Sequence, residues 1–431
     1  MRKNRIRPVL CAAAVSLLLG GCTDISRGAQ AAPRPAAEAV AEVQTTSKPA
    51  GIRIISPDDT TATVADLPTV YAMPDTDDFH SRIEAIRVEN GVYGMGIAVF
   101  HDGDIIYTDS FGLADTEREL PCTKNTRFRA ASVSKLISTL LVMRLCDDQL
   151  LTLDSILDDA VGLPYSTASG KVKLRHLLTH TAGITDTYLY EWGMTERYAV
   201  DYILKNSLTG TEPGTFYNYT NFGAGTMGAI IEHITGIFFH DYAENVLFDP
   251  LGMDAGYVID LIEDKESCAV IYDHDGEVFN VPEWSRDREY YESFGLGNSY
   301  LQAQCELLIT PSDLARLGTA LAGDGTVKEC GGKRIVSEKA IEQMHDVYID
   351  TENFGMGLNV RKYDGNLVKG RTLWGHPGNA LGAITGMFYD RSDRTGIVIM
   401  TNHCNYGIND ENGMYRLIDD TVNAAYDAFF S

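Results

Sequence analysis

The 431-residue sequence contains few basic residues, no CxxC pair and, beyond Leu19, no long apolar run. Its 36 basic against 60 acidic residues give a net charge of −24, which opposes the phosphate neutralisation that nucleic-acid binding requires. Without a CxxC pair, neither a zinc ribbon nor a redox motif is indicated. A membrane-spanning helix needs about 20 apolar residues. We therefore expect no nucleic-acid partner and no transmembrane helix.

The first 21 residues have the pattern of an export signal, in which basic residues up to Arg7 precede an apolar run from Val9 to Leu19. The next residues, Gly20-Gly21-Cys22, resemble the lipobox of bacterial lipoproteins, where the cysteine is lipidated and becomes the new N-terminus. We expect residues 1–21 to be removed as a lipoprotein signal peptide. Cys22 would then anchor the protein to a bacterial membrane, outside the cytoplasm. The alternative is an ordinary secretory signal with an incidental cysteine.

Residues 22–76 are rich in Ala, Thr and Pro and show little apolar periodicity, which predicts a flexible tether. Removing residues 1–21 deletes four basic and no acidic residues, so the mature net charge becomes −28. An extracytoplasmic location permits disulfides, but the spacing of the remaining cysteines does not reveal a pairing. These cysteines are Cys122, Cys146, Cys268, Cys305, Cys330 and Cys404.

Residues 77–431 read as one folded domain, with 44% apolar residues in the whole chain. Apolar spacing predicts a helix over 79–88 that has Asp77 or Asp78 as its N-cap and ends at Asn90-Gly91. Two β-rich runs, 94–100 and 104–110, are joined by Asp-Gly, the strongest short hairpin signal.

The C-terminal part repeats this arrangement, with a predicted hairpin over 383–402 and a helix over about 413–430. The region from Ser132 to about Ala322 reads mostly helical, and about 150–290 is expected to form an inserted helical subdomain. Strands at both ends with helices between them predict an α+β fold, in which an antiparallel sheet is built from N- and C-terminal segments and flanked by helices.

Ser132 is placed where it can act as a nucleophile. It begins an apolar segment that runs to Leu145, and Lys135 follows three residues later, so on a helix the two side chains share one face. A serine hydroxyl needs a neighbouring base, and a buried lysine, whose charged form is disfavoured away from water, can supply it. No GxSxG elbow offers a competing nucleophile. The alternative is a serine N-cap with a solvated lysine.

Two further motifs follow in order. Tyr219-Thr220-Asn221 is the only YxN sequence, and His376-Pro377-Gly378 lies just before the last predicted hairpin. With Ser132-Val133-Ser134-Lys135, these motifs resemble the serine β-lactamase and penicillin-binding-protein superfamily, and within it the class C β-lactamases, DD-peptidases, D-aminopeptidases and related esterases. Residues 174–184 and 309–317 also look like signatures of this family.

The resemblance covers roughly residues 80–430 and implies a β-lactamase/transpeptidase-like fold and acyl transfer without a cofactor. The serine attacks a carbonyl, the lysine and tyrosine share the base and acid roles, and water hydrolyses the acyl-enzyme. The oxyanion would be held by the backbone N–H of Ser132 and by that of Asn379, because Pro377 has no N–H. The expected catalytic residues are Ser132, Lys135 and Tyr219, and the expected substrate-binding or oxyanion residues are Asn221, His376, Gly378 and Asn379.

Position 376 departs from the Lys-Thr-Gly of most β-lactamases. Lysine is a permanent cation suited to a substrate carboxylate, whereas histidine, with an ordinary pKa of about 6.5, is mostly neutral at neutral pH. In the family, HxG is more frequent among DD-peptidases, D-aminopeptidases and esterases. We therefore expect a D-amino-acid-containing or cell-wall-derived peptide as substrate. The alternatives are an esterase or weak β-lactamase and, from another class, a non-catalytic module that binds cell-wall peptide.

His176 and His180 have the spacing of a zinc motif, but the flanking glutamate of HExxH is missing and no third ligand is evident, so we expect no metal. The aromatic-rich stretches 188–192 and 283–286 are candidates for pocket walls, and packing on the subdomain is an equal alternative. The expected partners are a small-molecule or peptide substrate and, through the lipid anchor, a membrane. We expect a monomer.

Overall fold

The computed structural model describes residues 75–280, 286–408 and 412–431, which lie in one compact unit. The expected signal peptide, Cys22 and nearly all of the expected tether lie outside these residues, as do positions 283–285 of the second aromatic stretch. Within the described part of the chain, no single helix is long and apolar enough to cross a membrane. One bent pair, Asn221–Thr235 with Phe239–Leu251, meets that test by length and composition only.

Fifteen strands are found in the described residues, and nine of them form a single antiparallel sheet. The strand order in that sheet is β10-β11-β12-β13-β14-β15-β1-β2-β3, and the other six strands form three two-stranded pairs. The strands are β1 (Gly94–His101), β2 (Asp104–Asp115), β3 (Leu120–Pro121), β4 (Phe128–Arg129), β5 (Ile271–Tyr272), β6 (Val278–Asn280), β7 (Leu308–Ile309), β8 (Thr326–Val327), β9 (Lys333–Arg334), β10 (Ile349–Asp350), β11 (Gly355–Met356), β12 (Arg361–Asp364), β13 (Thr372–Ala380), β14 (Ala383–Asp390) and β15 (Thr395–Thr401).

Most of the described helices lie between β4 and β10 in the chain, and one helix at each terminus packs on the sheet. Short 3₁₀ turns and one π-turn, Glu244–Phe248, join some of them. The α-helices are α1 (Thr76–Glu89), α2 (Val133–Asp147), α3 (Leu157–Val161), α4 (Leu174–Leu178), α5 (Tyr188–Glu196), α6 (Val200–Ser207), α7 (Asn221–Gly225), α8 (Met227–Thr235), α9 (Phe239–Ala243), α10 (Asp249–Leu251), α11 (Arg288–Glu292), α12 (Gln302–Cys305), α13 (Pro311–Ala322), α14 (Glu338–His345) and α15 (Arg416–Phe429).

The central strand β1 shows how the sequence buries both faces of the sheet. Successive side chains of a strand point to opposite faces. Ile97 and Val99 enter an apolar core together with α1 and α15, whereas Ala98 and Phe100 enter the larger core that contains α2 and α13. Helix α2 is itself buried from Val133 to Leu145. The sheet therefore lies between two helical layers, and α2 runs through the interior of one of them.

The α+β fold predicted from the sequence is confirmed. The first hairpin turns at Asp102-Gly103, where both residues have positive φ, as a two-residue Asp-Gly turn requires. The last hairpin is β14–β15, and it pairs Asp390 with Thr395. The first helix begins at Thr76, because its N-cap is Asp75 rather than Asp77 or Asp78. The division of the chain at about 150 and 290 stays a prediction.

No disulfide joins any two of the described residues. The cysteines differ in burial, and burial raises the pKa of the Cys122 thiol to about 12, which makes it a weak nucleophile. The free thiols are Cys122, Cys146, Cys268, Cys305, Cys330 and Cys404.

Candidate active site

Ser132 lies at the start of α2, directly after a strained residue. Ala131 has φ 48°, in the left-handed region that costs a non-glycine residue about 1–2 kcal/mol. The Ala130 N–H donates to the Leu307 carbonyl at 2.8 Å, and the Thr385 hydroxyl donates to the Ala130 carbonyl at 2.8 Å. The Ser132 side chain makes no capping hydrogen bond. Ser132 therefore occupies the N-cap position of α2 without capping the helix through its side chain.

Lys135 is completely buried, one turn along α2 from Ser132. Its ammonium donates to Ser132 Oγ at 3.0 Å, to Asn221 Oδ1 at 2.9 Å and to the Gln304 carbonyl at 3.1 Å. Three acceptors for three N–H bonds fix the position of Nζ. The alternative of a solvated lysine is thus excluded.

Tyr219 completes a compact group around the serine. Its hydroxyl donates to Ser132 Oγ at 2.9 Å, and Lys135 Nζ lies 5.0 Å from the centre of its ring. The His180 ring lies 4.5 Å from the Tyr219 ring, and the His180 Nδ1 accepts the Thr220 N–H at 3.3 Å. Ser132 Oγ is therefore in contact with two groups that can take or give a proton.

Asp186 is a site residue that the sequence motifs do not reveal. Its carboxylate accepts the Thr220 hydroxyl at 2.6 Å and the backbone N–H groups of Asn221 at 2.9 Å and Phe222 at 2.8 Å. These are the first turn of α7, which a carboxylate stabilises through both hydrogen bonds and charge. Asp186 thereby fixes the loop that carries Tyr219 and Asn221.

His376 is a buried neutral imidazole. Its Nδ1 lies 2.6 Å from the Pro377 carbonyl, which can only accept, so Nδ1 carries the proton and Nε2 presents a lone pair. Nε2 has no hydrogen-bond partner among the described residues. Burial holds the pKa of His376 well below its usual range, and the positive charges of Arg361 and Lys135 lower it further. At neutral pH, position 376 therefore offers an acceptor and no positive charge.

Gly378 lies where β13 packs against Ala130 and Ala131, the residues directly before Ser132. A Cβ at this position would lie 2.1 Å from Thr385 Oγ1 and 2.9 Å from the Ala130 carbonyl oxygen. Only glycine fits this approach. The structure thus brings β13 against the residues that precede Ser132, and Asn379 is the next residue on the strand.

Arg361 is a second residue that the motifs do not reveal. Its guanidinium lies 5.6 Å from the centre of the Tyr219 ring and 4.4 Å from that of Phe354. Within the described part of the chain, no carboxylate forms an ion pair with it. Arg361 therefore adds positive potential beside Tyr219 and His376.

His176 and His180, the two histidines with zinc-like spacing, each accept a backbone hydrogen bond. The His176 Nδ1 accepts the Lys173 N–H at 3.3 Å, and the His180 Nδ1 accepts the Thr220 N–H at 3.3 Å. A separate cluster in the described residues, His240, Asp241 and Glu292, has ligand atoms within 4.8 Å of one another.

Arg288 already occupies that cluster, with Nη1 at 2.5 Å from Asp241 Oδ1 and 3.5 Å from Glu292 Oε1. The Gln302 amide lies 3.3 Å from His240 Nδ1, which leaves the proton on Nε2, facing the carboxylates. This donor set fits an ion-pair network better than a metal site.

The first aromatic stretch has one packed and one exposed face, and its expected role as a pocket wall stays a prediction. Tyr188 is 60% exposed and Trp192 is 55% exposed, and the centres of their rings lie 4.9 Å apart. Leu189 and Tyr190 are buried, and the Tyr190 hydroxyl accepts a hydrogen bond from the Gln304 side chain. One face of α5 is therefore packed against the site region, and the other presents aromatic rings to solvent.

The fold and this site define a class of protein, namely α+β proteins of the β-lactamase/transpeptidase type. The family model described as Beta-lactamase matches residues 79–422. The chain belongs to this family, which is made of serine hydrolases.

Two curated relatives illustrate the range of the family. The chain is 28% identical over 315 residues to Penicillin-binding protein 4 of Amycolatopsis lactamdurans, with 70% of this chain and 78% of that protein covered. It is 32% identical over 216 residues to Esterase EstB of Burkholderia gladioli, with 45% and 53% covered. Among solved structures, the octameric penicillin-binding protein homologue from Pyrococcus abyssi matches with a TM-score of 0.64 and 23% identity, over 81% of this chain and 77% of that one. That structural likeness supports the fold alone.

Proposed function

We propose that this protein is a serine hydrolase that cleaves an amide or ester bond through an acyl-serine intermediate on Ser132. The observation that carries the proposal is the position of Ser132 Oγ, which lies 3.0 Å from Lys135 Nζ and 2.9 Å from the Tyr219 hydroxyl. A nucleophile within hydrogen-bond reach of its base, with that base held by further groups, is the arrangement that activates a serine.

The reaction has two steps. The first step starts from the state in which the pair formed by Tyr219 and Lys135 has lost one proton. Ser132 Oγ then attacks the substrate carbonyl carbon while its own proton passes to that pair, and the backbone N–H groups of Ser132 and Asn379 receive the oxyanion. The bond to the leaving group breaks, and the pair returns the proton to the departing amine or alcohol. Water then attacks the acyl-serine ester, releases the acid and restores the Ser132 hydroxyl. Asn221 orients Lys135 in both steps.

The substrate class that we favour is a D-amino-acid-containing or cell-wall-derived peptide. The similarity to a penicillin-binding protein over 70% of the chain and the histidine of the third motif support it. Esterase or weak β-lactamase activity is the second candidate. It is favoured by the neutral His376, which offers no cation for a substrate carboxylate, and by the similarity to an esterase.

Covalent labelling tests the acyl-serine proposal. The protein is incubated with a fluorophosphonate or a fluorescent penicillin, and the adduct is located by peptide mass mapping. We expect the adduct on the peptide that contains Ser132 and none in Ser132→Ala. Ser81→Ala, on the outer surface of α1, is the matched control and should label like the wild type. Absence of an adduct on Ser132 would contradict the proposal and favour a non-catalytic binding module.

A substrate panel then separates the two candidate activities. Peptides ending in D-amino acids, peptides beginning with them, aryl esters and cephalosporins are compared by kcat/KM. We expect the D-amino-acid peptides to give the highest values. A preference of more than about tenfold for aryl esters would favour the esterase instead.

We further propose that the mature protein is a monomeric lipoprotein, anchored outside the cytoplasm through Cys22. The sequence pattern of residues 1–22 supports this location. The test is expression in a bacterial host followed by mass spectrometry of the N-terminal peptide and membrane fractionation. We expect a lipid-modified Cys22 in the membrane fraction and a soluble exported protein for Cys22→Ser. An unmodified cysteine in the wild type would contradict the anchor, and the mass of the purified domain in solution tests the monomer.

A further inference from the structure

Two tyrosines from one loop hold the side chain of Asn379 at both ends. The Asn379 Nδ2 donates to the Tyr415 hydroxyl at 2.8 Å, and the Tyr406 hydroxyl donates to Asn379 Oδ1. The Tyr406 hydroxyl also lies within hydrogen-bond distance, 2.9 Å, of the Leu381 carbonyl, in the turn between β13 and β14. We call Tyr406, Asn379 and Tyr415 the tyrosine clamp. It connects the end of β13 to the segment between β15 and α15.

Backbone hydrogen bonds connect the residues next to the two tyrosines. Ile408 and Tyr415 form an antiparallel bridge, and the Arg416 N–H donates to the Gly407 carbonyl at 2.8 Å, at the start of α15. The rings of Tyr406 and Tyr415 lie 6.2 Å apart. The backbone that carries both tyrosines is therefore hydrogen-bonded, which reduces the conformational entropy lost when their hydroxyls bond to Asn379.

The turn that follows Asn379 needs support from outside. Leu381 has φ 59°, a conformation that costs a non-glycine residue about 1–2 kcal/mol and persists only where surrounding contacts impose it. The Gly382 N–H, which donates to the Tyr272 carbonyl at 2.9 Å, supplies such a contact. The Tyr406 hydroxyl lies near the Leu381 carbonyl, but its one proton goes to Asn379 Oδ1, so the clamp acts on the side chain of Asn379.

The opposite side of the strand is fixed by close packing. Gly378 lies against Ala130, whose carbonyl also accepts the Thr385 hydroxyl at 2.8 Å. The backbone of Asn379 therefore lies between this packed contact and the clamp. Its N–H is the group that the proposed mechanism uses for the oxyanion, and a displacement of about 1 Å there is enough to lower a rate by up to about 100-fold.

We propose that Tyr406 and Tyr415 are positioning residues that act through Asn379 to fix the β13 N–H that receives the oxyanion. The inference rests on the proposed acyl-serine function. Because the two hydroxyls bond to the Asn379 side chain on the strand, their contribution falls on the acylation rate at saturation. A tyrosine pair that only lined the substrate pocket would instead change the concentration needed for half-saturation.

The test uses Tyr406→Phe, Tyr415→Phe and the double variant, which keep the rings and remove only the hydroxyls. Acylation of Ser132 by a chromogenic cephalosporin is followed in a stopped-flow instrument over a range of probe concentrations. We expect each single variant to lower the limiting acylation rate about tenfold, with the half-saturating concentration within about twofold of the wild type. Tyr202→Phe, on α6, is the matched control and should leave both values unchanged.

A second measurement separates positioning from a general loss of structure. In an Asn379→Ala background, the phenylalanine substitutions should lower the acylation rate no further, because the group through which they act is gone. Melting temperatures by circular dichroism should stay within about 2 °C of the wild type for the single phenylalanine variants.

Each contrary result has a defined meaning. Wild-type acylation rates in both phenylalanine variants, a change confined to half-saturation, or an equal loss in the Asn379→Ala background would overturn the clamp and leave the acyl-serine function standing. A wild-type protein that forms no adduct on Ser132 would overturn both proposals.

Discussion

The carboxylate of Asp186 accepts the backbone N–H of Asn221 at 2.9 Å, which joins the loop before α5 to the first turn of α7. Replacing Asp186 by alanine leaves the N–H groups of Asn221 and Phe222 and the Thr220 hydroxyl without this acceptor. Loss of a helix cap costs about 1 kcal/mol. We expect Asp186→Ala to melt a few degrees lower and to acylate about tenfold more slowly.

Asp186→Asn keeps one oxygen acceptor and should lie between the wild type and the alanine variant in both properties. Asp201→Ala removes an exposed carboxylate on α6 that pairs with Lys205, and it serves as the matched control. Such a surface pair contributes little, so the control should acylate like the wild type. Equal acylation by Asp186→Ala and the wild type would show that Asp186 does not position the loop.

Lys135 is completely buried, and the three partners of its Nζ are a hydroxyl, an amide and a backbone carbonyl. Burial of a charge without an ionic partner is costly, so the site trades stability for activity. We expect Lys135→Met, which keeps an unbranched side chain but lacks the terminal amine, to reduce acylation by about 1,000-fold or more while its melting temperature stays equal to or above that of the wild type.

The control for this variant is Lys205→Met, which removes a solvent-exposed ammonium on α6. It should change neither the acylation rate nor, by more than about 2 °C, the melting temperature. If Lys135→Met retained acylation within tenfold of the wild type, the assignment of Lys135 as a proton carrier would be wrong.

His345 makes the stability of the fold depend on pH. Its Nδ1 lies 2.7 Å from the Ile341 carbonyl and its Nε2 2.8 Å from the Tyr389 hydroxyl, so the neutral ring is fully bonded. Burial, with the charge of Arg391, lowers the pKa of His345 to about 3. Unfolded histidine titrates at about 6.5. The unfolded chain therefore binds more protons between these values, and stability is lost as the pH falls through that window, by about 1.4 kcal/mol per pH unit.

Urea unfolding at about pH 7 and about pH 5 measures this dependence. From about pH 7 to about pH 5, the free energy of unfolding of the wild type should fall by about 2 kcal/mol more than that of His345→Gln. The glutamine amide can still donate to the Ile341 carbonyl and accept from the Tyr389 hydroxyl. The same difference in both proteins would assign the acid sensitivity to other groups.

The sequence predicts the two hairpins β1–β2 and β14–β15 because their signals are local, and it assigns no strand at β3 or at β10 to β12. The Asp102-Gly103 turn and the β-rich run 94–100 depend only on neighbouring positions, and the structure has both as expected. The sequence places the N-cap of α1 two or three residues too late, because Asp75, Asp77 and Asp78 are equivalent as sequence signals. Only the structure shows that Asp75 accepts the N–H groups of the other two.

The residues of the candidate site likewise differ in whether a local sequence pattern reveals them. Ser132, Lys135 and Tyr219 stand in ordered motifs, and their side chains meet in the structure. Asp186 and Arg361 have no motif, because their roles depend on contacts between distant segments. The Gln304 carbonyl that holds Lys135 is a backbone group, which any residue at that position would provide. Residues of this kind become visible only once the chain is folded.

We expect His376 to influence how the site treats a substrate carboxylate. The ring is buried, uncharged and close to two cations, Lys135 and Arg361, which hold its pKa well below the usual range. Replacing it by lysine adds an amine that a bound carboxylate would keep protonated, whereas glutamine keeps the position neutral. The measured quantity is kcat/KM for a peptide with a free C-terminal carboxylate divided by kcat/KM for the methyl ester of the same peptide. We expect His376→Lys to raise this ratio about tenfold, a change of about 1.4 kcal/mol in relative transition-state binding.

His376→Gln is the matched control and should leave that ratio within about twofold of the wild type. A third cation beside Lys135 and Arg361 also adds repulsion, so His376→Lys should melt at a lower temperature than His376→Gln. Because both substrates are compared on the same folded protein, a general loss of activity cancels from the ratio. An unchanged ratio in a folded His376→Lys variant would mean that position 376 does not face the carboxylate of the substrate, and that the histidine of this motif has no bearing on the choice between peptide and ester.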